Sequence, residues 1–285
     1  MGYMFEKTAL KLFGELTMPY LGYFETLKLS LKRGGFENTL HEYLCVILLY
    51  SLVVFLVSVV ITSVLITFLL LHTFYSYTLG IIISMVFAGV TFFMGYYYPT
   101  IKAKSLETKI NRTLPFTVSH MATSAASGMN PVDIFKVVAM KGGVMGNESN
   151  KIYTNVRSLG MSLTDAMQRT ADRTPSRQFA DLLWGMASVI NAGGNLETYL
   201  RNRTKTFMSH YRRMLEDYAR QVTFYTEIYI TLVIVGSLFF IVLSAILSPM
   251  TGGGILLLQT FLVFFFIPGV SAGFIVLLKG ISPTE

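Results

Sequence analysis

The sequence has little with which to build a metal site or a disulfide. Cys45 is the single cysteine among 285 residues, which excludes a disulfide within one chain and any cysteine-based zinc or iron–sulfur site. The four histidines are widely separated along the chain, so a histidine metal cluster is not expected either. The sequence therefore predicts no metal and no other cofactor.

Enzyme signatures are also missing. No Gly-x-Gly-x-x-Gly follows a predicted strand, and neither a Gly-x-x-x-x-Gly-Lys-Ser/Thr phosphate loop nor a His-Glu-x-x-His motif occurs. Asp165, Asp172 and Asp181 are spaced by seven and nine residues, which suits solvated helix faces better than the magnesium cluster of a membrane-bound lipid-modifying enzyme. We therefore expect a protein without catalytic residues. The two alternatives are a membrane-bound lipid-modifying enzyme and a membrane transporter subunit.

Charge is missing from two long stretches. Residues 43–101 and 228–278 contain no Lys, Arg, Asp or Glu, in a chain of mean hydropathy +0.55. A transmembrane helix needs about 20 predominantly apolar residues, so each stretch is long enough for two helices and a tight turn. The turns are expected at residues 72–77 and 249–254. The sequence thus predicts four membrane spans in two hairpins: residues 43–71, 79–98, 222–248 and 255–278.

The basic residues orient these hairpins. Five of the 23 Lys and Arg precede the first span, 17 lie between the second and third spans, and Lys279 follows the fourth. Basic residues are retained on the cytoplasmic side of short loops. We therefore predict a multi-pass protein of the cell membrane with both termini in the cytoplasm. Because the basic excess lies beside the membrane, we expect anionic lipids rather than nucleic acid as its counterpart.

The charged and apolar segments divide the chain into five parts. Before the first span, apolar residues recur at helical spacing and predict two short amphipathic helices, broken near Pro19 and Gly34. The predicted parts are a cytoplasmic amphipathic arm (residues 1–42), a first membrane hairpin (43–99), a cytoplasmic helical domain (100–221), a second membrane hairpin (222–279) and a cytoplasmic tail (280–285).

Helix start and stop signals recur through the cytoplasmic domain, and six helices without any strand signal predict an all-α bundle. Pro115 is expected to open the first helix, and the sixth, which contains no proline, to continue into the third span. The six helices are expected to start near residues 115, 131, 148, 163, 175 and 196. Residues of helix turns and caps are predicted at Gly128, Asn130, Pro131, Gly160, Gly193, Gly194 and Asn195.

The domain also contains an internal repeat. Residues 121–130 align without gaps with residues 186–195, with four identities in ten positions. In both copies a helix rich in small residues ends at Gly-x-Asn, and the next helix carries an acid in its first turn, Asp133 or Glu197. The repeat predicts that the bundle consists of two related three-helix halves.

The layout and several short patterns resemble a known family. Residues 159–167, followed by Pro175, Phe179 and the turn at residues 192–196, resemble the F domain of type II secretion and type IV pilus assembly platforms. Spans on both sides of a single F domain are most similar to the archaeal platforms of archaella and adhesive pili and to tight-adherence pilus platforms. Many relatives carry two F domains, so the single domain here implies a homodimer or pairing with a second half-length platform subunit.

This resemblance implies a non-catalytic membrane scaffold. In the family, the cytoplasmic domain is thought to engage a hexameric secretion ATPase. The nucleotide cycle of that ATPase moves the platform, so that pilin-like subunits pass from the membrane into a growing filament. The resemblance therefore implies a pilus-assembly or secretion ATPase and pilin-like subunits as partners.

Basic residues of the sixth helix are the candidate contact residues. The cytoplasmic domain carries 17 basic and nine acidic residues. Arg201, Arg203 and Lys205 lie in the part of the helix farther from the membrane. We expect these three to face an acidic surface of the ATPase or solvent.

The end of the sixth helix next to the membrane carries Arg212, Arg213 and Arg220, which suit anionic lipid headgroups, with a partner subunit as the alternative. Glu227 is the only acid within a predicted span, and an acid there is costly unless it is paired or hydrated. Because it lies close to the cytoplasmic end, its carboxylate can reach headgroup water. The alternative is that it pairs with an Arg of a partner subunit or with the N-terminus of a pilin helix.

The predicted orientation is tested with single cysteines in the middle domain and in the second turn. An impermeant thiol reagent applied to intact cells should label Gly253→Cys and leave Lys104→Cys unlabelled, because only the turn faces outward. Labelling of the cysteine at 104 but not of the one at 253 would show the opposite orientation.

Overall fold

The computed structural model describes residues 2–36, 38–70, 75–247, 249 and 260–281. Every regular element in these ranges is helical, which confirms the predicted all-α class. The chain forms two compact units, Met1–Thr204 and Lys205–Glu285.

Among the described residues, the first unit holds eight complete α-helices, one 3-10 helix and the beginning of a ninth α-helix. These are α1 (Gly2–Thr17), a 3-10 helix (Met18–Phe24), α2 (Glu25–Arg33), α3 (Leu40–Leu70), α4 (Tyr75–Ala126), α5 (Pro131–Met140), α6 (Gly143–Arg157), α7 (Leu163–Ala171), α8 (Arg177–Asn191) and the first turns of α9 (Leu196–Tyr229). The second unit holds the rest of α9, a π-helical segment (Ile230–Val235), α10 (Gly236–Leu247), a second π-helical segment (Leu262–Phe266) and α11 (Ile267–Ile281).

Four helical stretches are long and apolar enough to cross a membrane, as predicted. They are Leu40–Ile66, Thr78–Ala126, Leu196–Leu247 and Val263–Gly280. The third confirms that the sixth helix of the domain continues into a span, because Leu196–Leu247 is a single helical stretch of 52 residues.

The predicted first turn was partly wrong. Residues 75–77 already belong to α4, while residues 72–74 lie outside the described residues. A helix extends to the membrane surface because every backbone group within the hydrocarbon must be bonded internally. The second predicted turn, apart from Pro249, also lies outside the described residues.

Small and hydroxyl-bearing residues bring α3 and α4 together. The Thr62 hydroxyl lies 3.2 Å from the Gly80 carbonyl oxygen and 3.1 Å from the Ser84 hydroxyl. Near the other end of the hairpin, the Tyr43 hydroxyl donates to the Gly95 carbonyl at 3.0 Å. Such contacts are typical of membrane helix pairs, in which small residues let the backbones approach and polar groups bond across the interface.

The N-terminal arm packs against this hairpin. Its two predicted helices are confirmed as α1 and α2, with the 3-10 helix at Pro19 between them and a turn at Gly34 after them. His41 Nε2 of α3 lies 3.0 Å from the Gly14 carbonyl of α1. Two buried apolar clusters join the arm to α3: Ala9 with Cys45 and Leu49, and Leu27 and Leu31 with Leu44.

The expectation that Pro115 opens a helix was wrong. Pro115 is buried inside α4, which runs unbroken from its membrane segment into the helical domain. A proline inside a helix costs about 3 kcal/mol. Four fully buried side chains on one face of α4 outweigh it, since each contributes about 1.5–3 kcal/mol: Ile110, Leu114, Val118 and Met121.

Two other helix starts differ from the predictions. Helix α6 begins at Gly143 rather than near residue 148, because its first turn packs closely on α5. A Cβ at Gly146 would lie 3.2 Å from the Ala139 carbonyl oxygen, so glycine is what permits this approach. Helix α8 begins at Arg177, two residues later than predicted, because the Ser176 hydroxyl caps it by accepting from the Phe179 N–H at 3.1 Å.

A single close contact fixes the start of α9 on α8. The Tyr199 hydroxyl donates to the Leu182 carbonyl at 3.3 Å, and the Tyr199 ring lies over Gly185. A Cβ at Gly185 would be 2.6 Å from Tyr199 Cζ and nearer still to the hydroxyl oxygen. Glycine at position 185 is therefore a packing requirement.

Gly185→Ala should lower the apparent unfolding temperature of the purified full chain, because overpacking of this kind costs about 1–3 kcal/mol. Fluorescence of Trp184, the only tryptophan and a direct neighbour of the contact, provides the readout. The matched control is Gly89→Ala in α4, where an added Cβ meets nothing within 4 Å. A Gly185→Ala chain as stable as the Gly89→Ala chain would contradict the prediction.

Candidate functional site

The distal basic residues of α9 lie at the surface, and two of them have partners within the chain. Arg201 forms an ion pair with Glu197 one turn earlier, and its side chain is still 61% exposed. The Arg203 Nε donates to the Tyr199 hydroxyl at 3.1 Å, and its guanidinium carbon lies 5.4 Å from the centre of that ring. Lys205 is exposed. Arg203 is thus held in place by the same tyrosine that anchors α9 to α8.

The membrane-proximal residues lie in the second unit. Arg212, Arg213 and Arg220 are exposed on α9, and so is Glu227 near the end of that helix. Among the residues that the structure describes, no ion pair involves Glu227. An exposed carboxylate here fits hydration at the membrane surface.

The predicted turn residues have backbone roles. The φ angles of Gly128, Gly160 and Gly193 are 72°, 66° and 65°, in the left-handed region that favours glycine. Two asparagines cap the helices that follow: Asn130 Oδ1 accepts from the Val132 N–H at 3.0 Å, and Asn195 Oδ1 accepts from the Thr198 N–H at 2.9 Å. Pro131 is the first residue of α5, and the Gly194 N–H donates to the Val189 carbonyl at 2.8 Å.

Burial repeats with the same spacing of 65 residues as the sequence. The pairs of equivalent positions that are fully buried in both copies are Leu114 and Phe179, Val118 and Leu183, Met121 and Met186, and Phe135 and Leu200. Asn111 and Ser176 are also 65 residues apart, and the Ser176 hydroxyl donates to Asn111 Oδ1. Helices α4 and α8 therefore meet at equivalent positions of the repeat.

No candidate metal centre is found in the described ranges. They contain no group of three His, Cys, Asp or Glu side chains that could hold a metal ion. Residues 269–273 do match the Gly-x-Ser-x-Gly spacing of hydrolase nucleophiles, but that motif requires a strand-to-helix turn. Here Ser271 lies within α11, donates to the Ile267 carbonyl at 2.8 Å and lies 2.8 Å from the Tyr229 hydroxyl, so it serves helix packing.

The structure also contains a basic cleft that the sequence did not predict. Its cationic residues come from α2, α6, α7 and the turn after α7: Lys28, Lys32, Arg33, Lys151, Arg169 and Arg173. The only local signal is the spacing of Lys28 and Lys32, which places both on one face of α2. Their approach to residues more than 110 positions away depends on tertiary packing.

Comparisons with known proteins find similarity over part of the chain. Residues 117–244 match the family model described as type II secretion system (T2SS), protein F. The chain is 28% identical over 137 residues, 47% of its length, to flagella accessory protein J of Methanocaldococcus jannaschii. It is also 28% identical over 155 residues, 53% of its length, to flagella accessory protein J of Methanococcus voltae.

These matches cover about a quarter of the relatives' own lengths, 24% and 27%. No solved structure matches the chain.

Proposed function

We propose that this chain, which carries a type II secretion system protein F domain over residues 117–244, is a non-catalytic assembly platform for an archaellum-like or type IV pilus-like filament. It is a multi-pass membrane protein with four apolar helices long enough to span. The observation that carries the proposal is the order of elements along the chain: two apolar stretches begin before helices α5–α8, which the family model covers, and two begin after them. The two similar proteins named as flagella accessory proteins support the same function.

The proposed role is mechanical. The domain binds a secretion ATPase in the cytoplasm, and the nucleotide cycle of the ATPase moves the membrane helices so that pilin-like subunits leave the membrane. Both termini then lie in the cytoplasm, as the distribution of basic residues favours. The alternatives, a transporter subunit and a lipid-modifying enzyme, have no comparable support in the described residues.

We assign the ATPase contact to Arg201, Arg203 and Lys205. All three lie within the first three turns of α9, which also carry the buried Leu200. The stacking of Arg203 on Tyr199 reduces the side-chain entropy that binding would cost. Arg212, Arg213 and Arg220 lie closer to the third span and are assigned to anionic lipid headgroups.

We further propose that the bundle consists of two related three-helix halves. The equivalent turns at Gly128 and Gly193 and the equivalent caps at Asn130 and Asn195 support this arrangement. A chain with one such domain would act as a homodimer or together with a paralogous half-length platform subunit.

Charge reversal tests the ATPase contact. In a deletion strain, the native chain should restore surface filaments and co-purify the secretion ATPase. The triple variant Arg201→Glu, Arg203→Glu and Lys205→Glu should neither restore filaments nor co-purify the ATPase, because the three new glutamates would repel an acidic docking surface. Filaments are counted by electron microscopy, and the ATPase is measured after affinity purification.

The matched control reverses the same number of charges near the membrane: Arg212→Glu, Arg213→Glu and Arg220→Glu. This variant should retain the ATPase. A deletion strain that keeps every surface filament, with no ATPase purified alongside the native chain, would contradict the proposed function itself.

Glu227→Gln is expected to leave filament number and platform oligomerisation unchanged, because an exposed carboxylate at the membrane surface is satisfied by water. Filament counts and the size of the purified platform are the measurements. A loss of either would show that Glu227 instead pairs with a partner subunit or a pilin helix.

A further inference from the structure

A cleft of about 840 Å³ lies between the N-terminal arm and the helical domain of the first unit. Helix α2 and the turn after it form one side, α6, α7 and the turn after α7 form the other, and Leu106 of α4 also contributes. This volume lies within the range of about 300–1,000 Å³ that is usual for small-molecule sites.

The charges lining the cleft are strongly unbalanced. Six cationic side chains line it: Lys28, Lys32, Arg33, Lys151, Arg169 and Arg173. Glu148 is the one carboxylate among the described lining residues, and it is already bound to Lys151, with Oε1 2.6 Å from Nζ.

No described residue forms an ion pair with the other five cations, although all five are exposed. Like charges gathered in a concave site focus a positive potential that attracts anions.

The α2 side of the cleft lies at the level of the membrane surface. Thr100, just beyond the second predicted span, donates through its hydroxyl to the Ser30 hydroxyl of α2 at 3.3 Å. Phe36, after α2, packs its ring 5.6 Å from Tyr43 and 6.1 Å from Tyr98, measured between ring centres. Tyrosines gather at the boundary between hydrocarbon and water, so these contacts mark that boundary.

The other side of the cleft extends away from the membrane. Leu106 lies six residues beyond Thr100, which corresponds to about 9 Å along α4. The polar layer of a bilayer adds about 5–8 Å to each side of the hydrocarbon. The cleft therefore begins in the headgroup layer and ends just outside it.

We propose that this basic cleft binds the phosphorylated headgroup of an anionic membrane lipid. Lys28 and Lys32 at the membrane surface would contact the phosphate from one side. Arg169 and Arg173, one turn apart on and just after α7, would contact it from the other, with guanidinium groups suited to two phosphate oxygens at once. The bound headgroup joins the arm to the domain by neutralising both charged surfaces.

A lipid accounts for the position of the cleft better than an acidic protein segment does. A docking surface for a protein does not need to lie near the membrane. This cleft does, because Leu40, at the start of the membrane-spanning helix α3, is one of its lining residues. Basic pockets beside membrane helices are a known form of headgroup site. The inference requires membrane insertion alone and is independent of the proposed filament function.

Lipid binding by the purified full chain tests the proposal. The chain is held in phosphatidylcholine nanodiscs doped with phosphatidylglycerol, and retained phosphatidylglycerol is measured by native mass spectrometry. The cleft variant Lys28→Gln, Lys32→Gln and Arg173→Gln should retain it at least about tenfold more weakly than the native chain. The control variant Lys136→Gln, Lys141→Gln and Arg177→Gln removes the same residue types from exposed positions outside the cleft and should match the native chain.

Two competitors distinguish the sources of negative charge. Inorganic phosphate shares the headgroup's chemistry but lacks the acyl chains, and it should not displace phosphatidylglycerol at millimolar concentration. Displacement by phosphate would identify a soluble anion site and overturn the lipid assignment. Equal retention by the cleft and control variants, or binding of a poly-glutamate peptide in place of the lipid, would overturn it as well.

Discussion

The packing of the first unit depends on the buried apolar face of α4. Helices α2, α3, α5, α6 and α8 all contact α4. Its four fully buried side chains, from Ile110 to Met121, contribute about 6–12 kcal/mol in total, which exceeds the cost of about 3 kcal/mol for the internal Pro115. Because that face stays continuous, α4 carries a membrane segment at one end and a domain core at the other.

The same helix determines where charge accumulates. Contact with α4 holds α2 at the level of Thr100. Helix α6 also packs against α4, farther from the membrane, and α7 packs against α6. Cations from segments distant in sequence are thereby brought to the two sides of one cleft. The cluster of like charges is a consequence of packing that the proposed lipid headgroup would compensate, since few of these side chains have partners within the chain.

Helical continuity gives the proposed platform a physical basis. Helix α4 runs from its apolar span into the helical domain without a break, and the helical stretch Leu196–Leu247 includes the third candidate span. An unbroken α-helix such as α4 moves as one element because each turn is hydrogen-bonded to the next. The contact of Tyr199 with Gly185 holds the first turns of that stretch on α8, next to the residues assigned to the ATPase.

The sequence by itself determined the features that depend on local chemistry. The charge-free stretches predicted the four apolar helices, because the cost of desolvating a charge depends on the local composition. The glycines and asparagines predicted the turns and caps, because backbone conformation there depends on a few neighbouring residues. Tertiary structure alone decided that α4 continues through Pro115, that α6 starts early at Gly143, and that Lys32 and Arg173 line the same cleft. These outcomes depend on burial between residues far apart in the chain, where packing outweighs local preference.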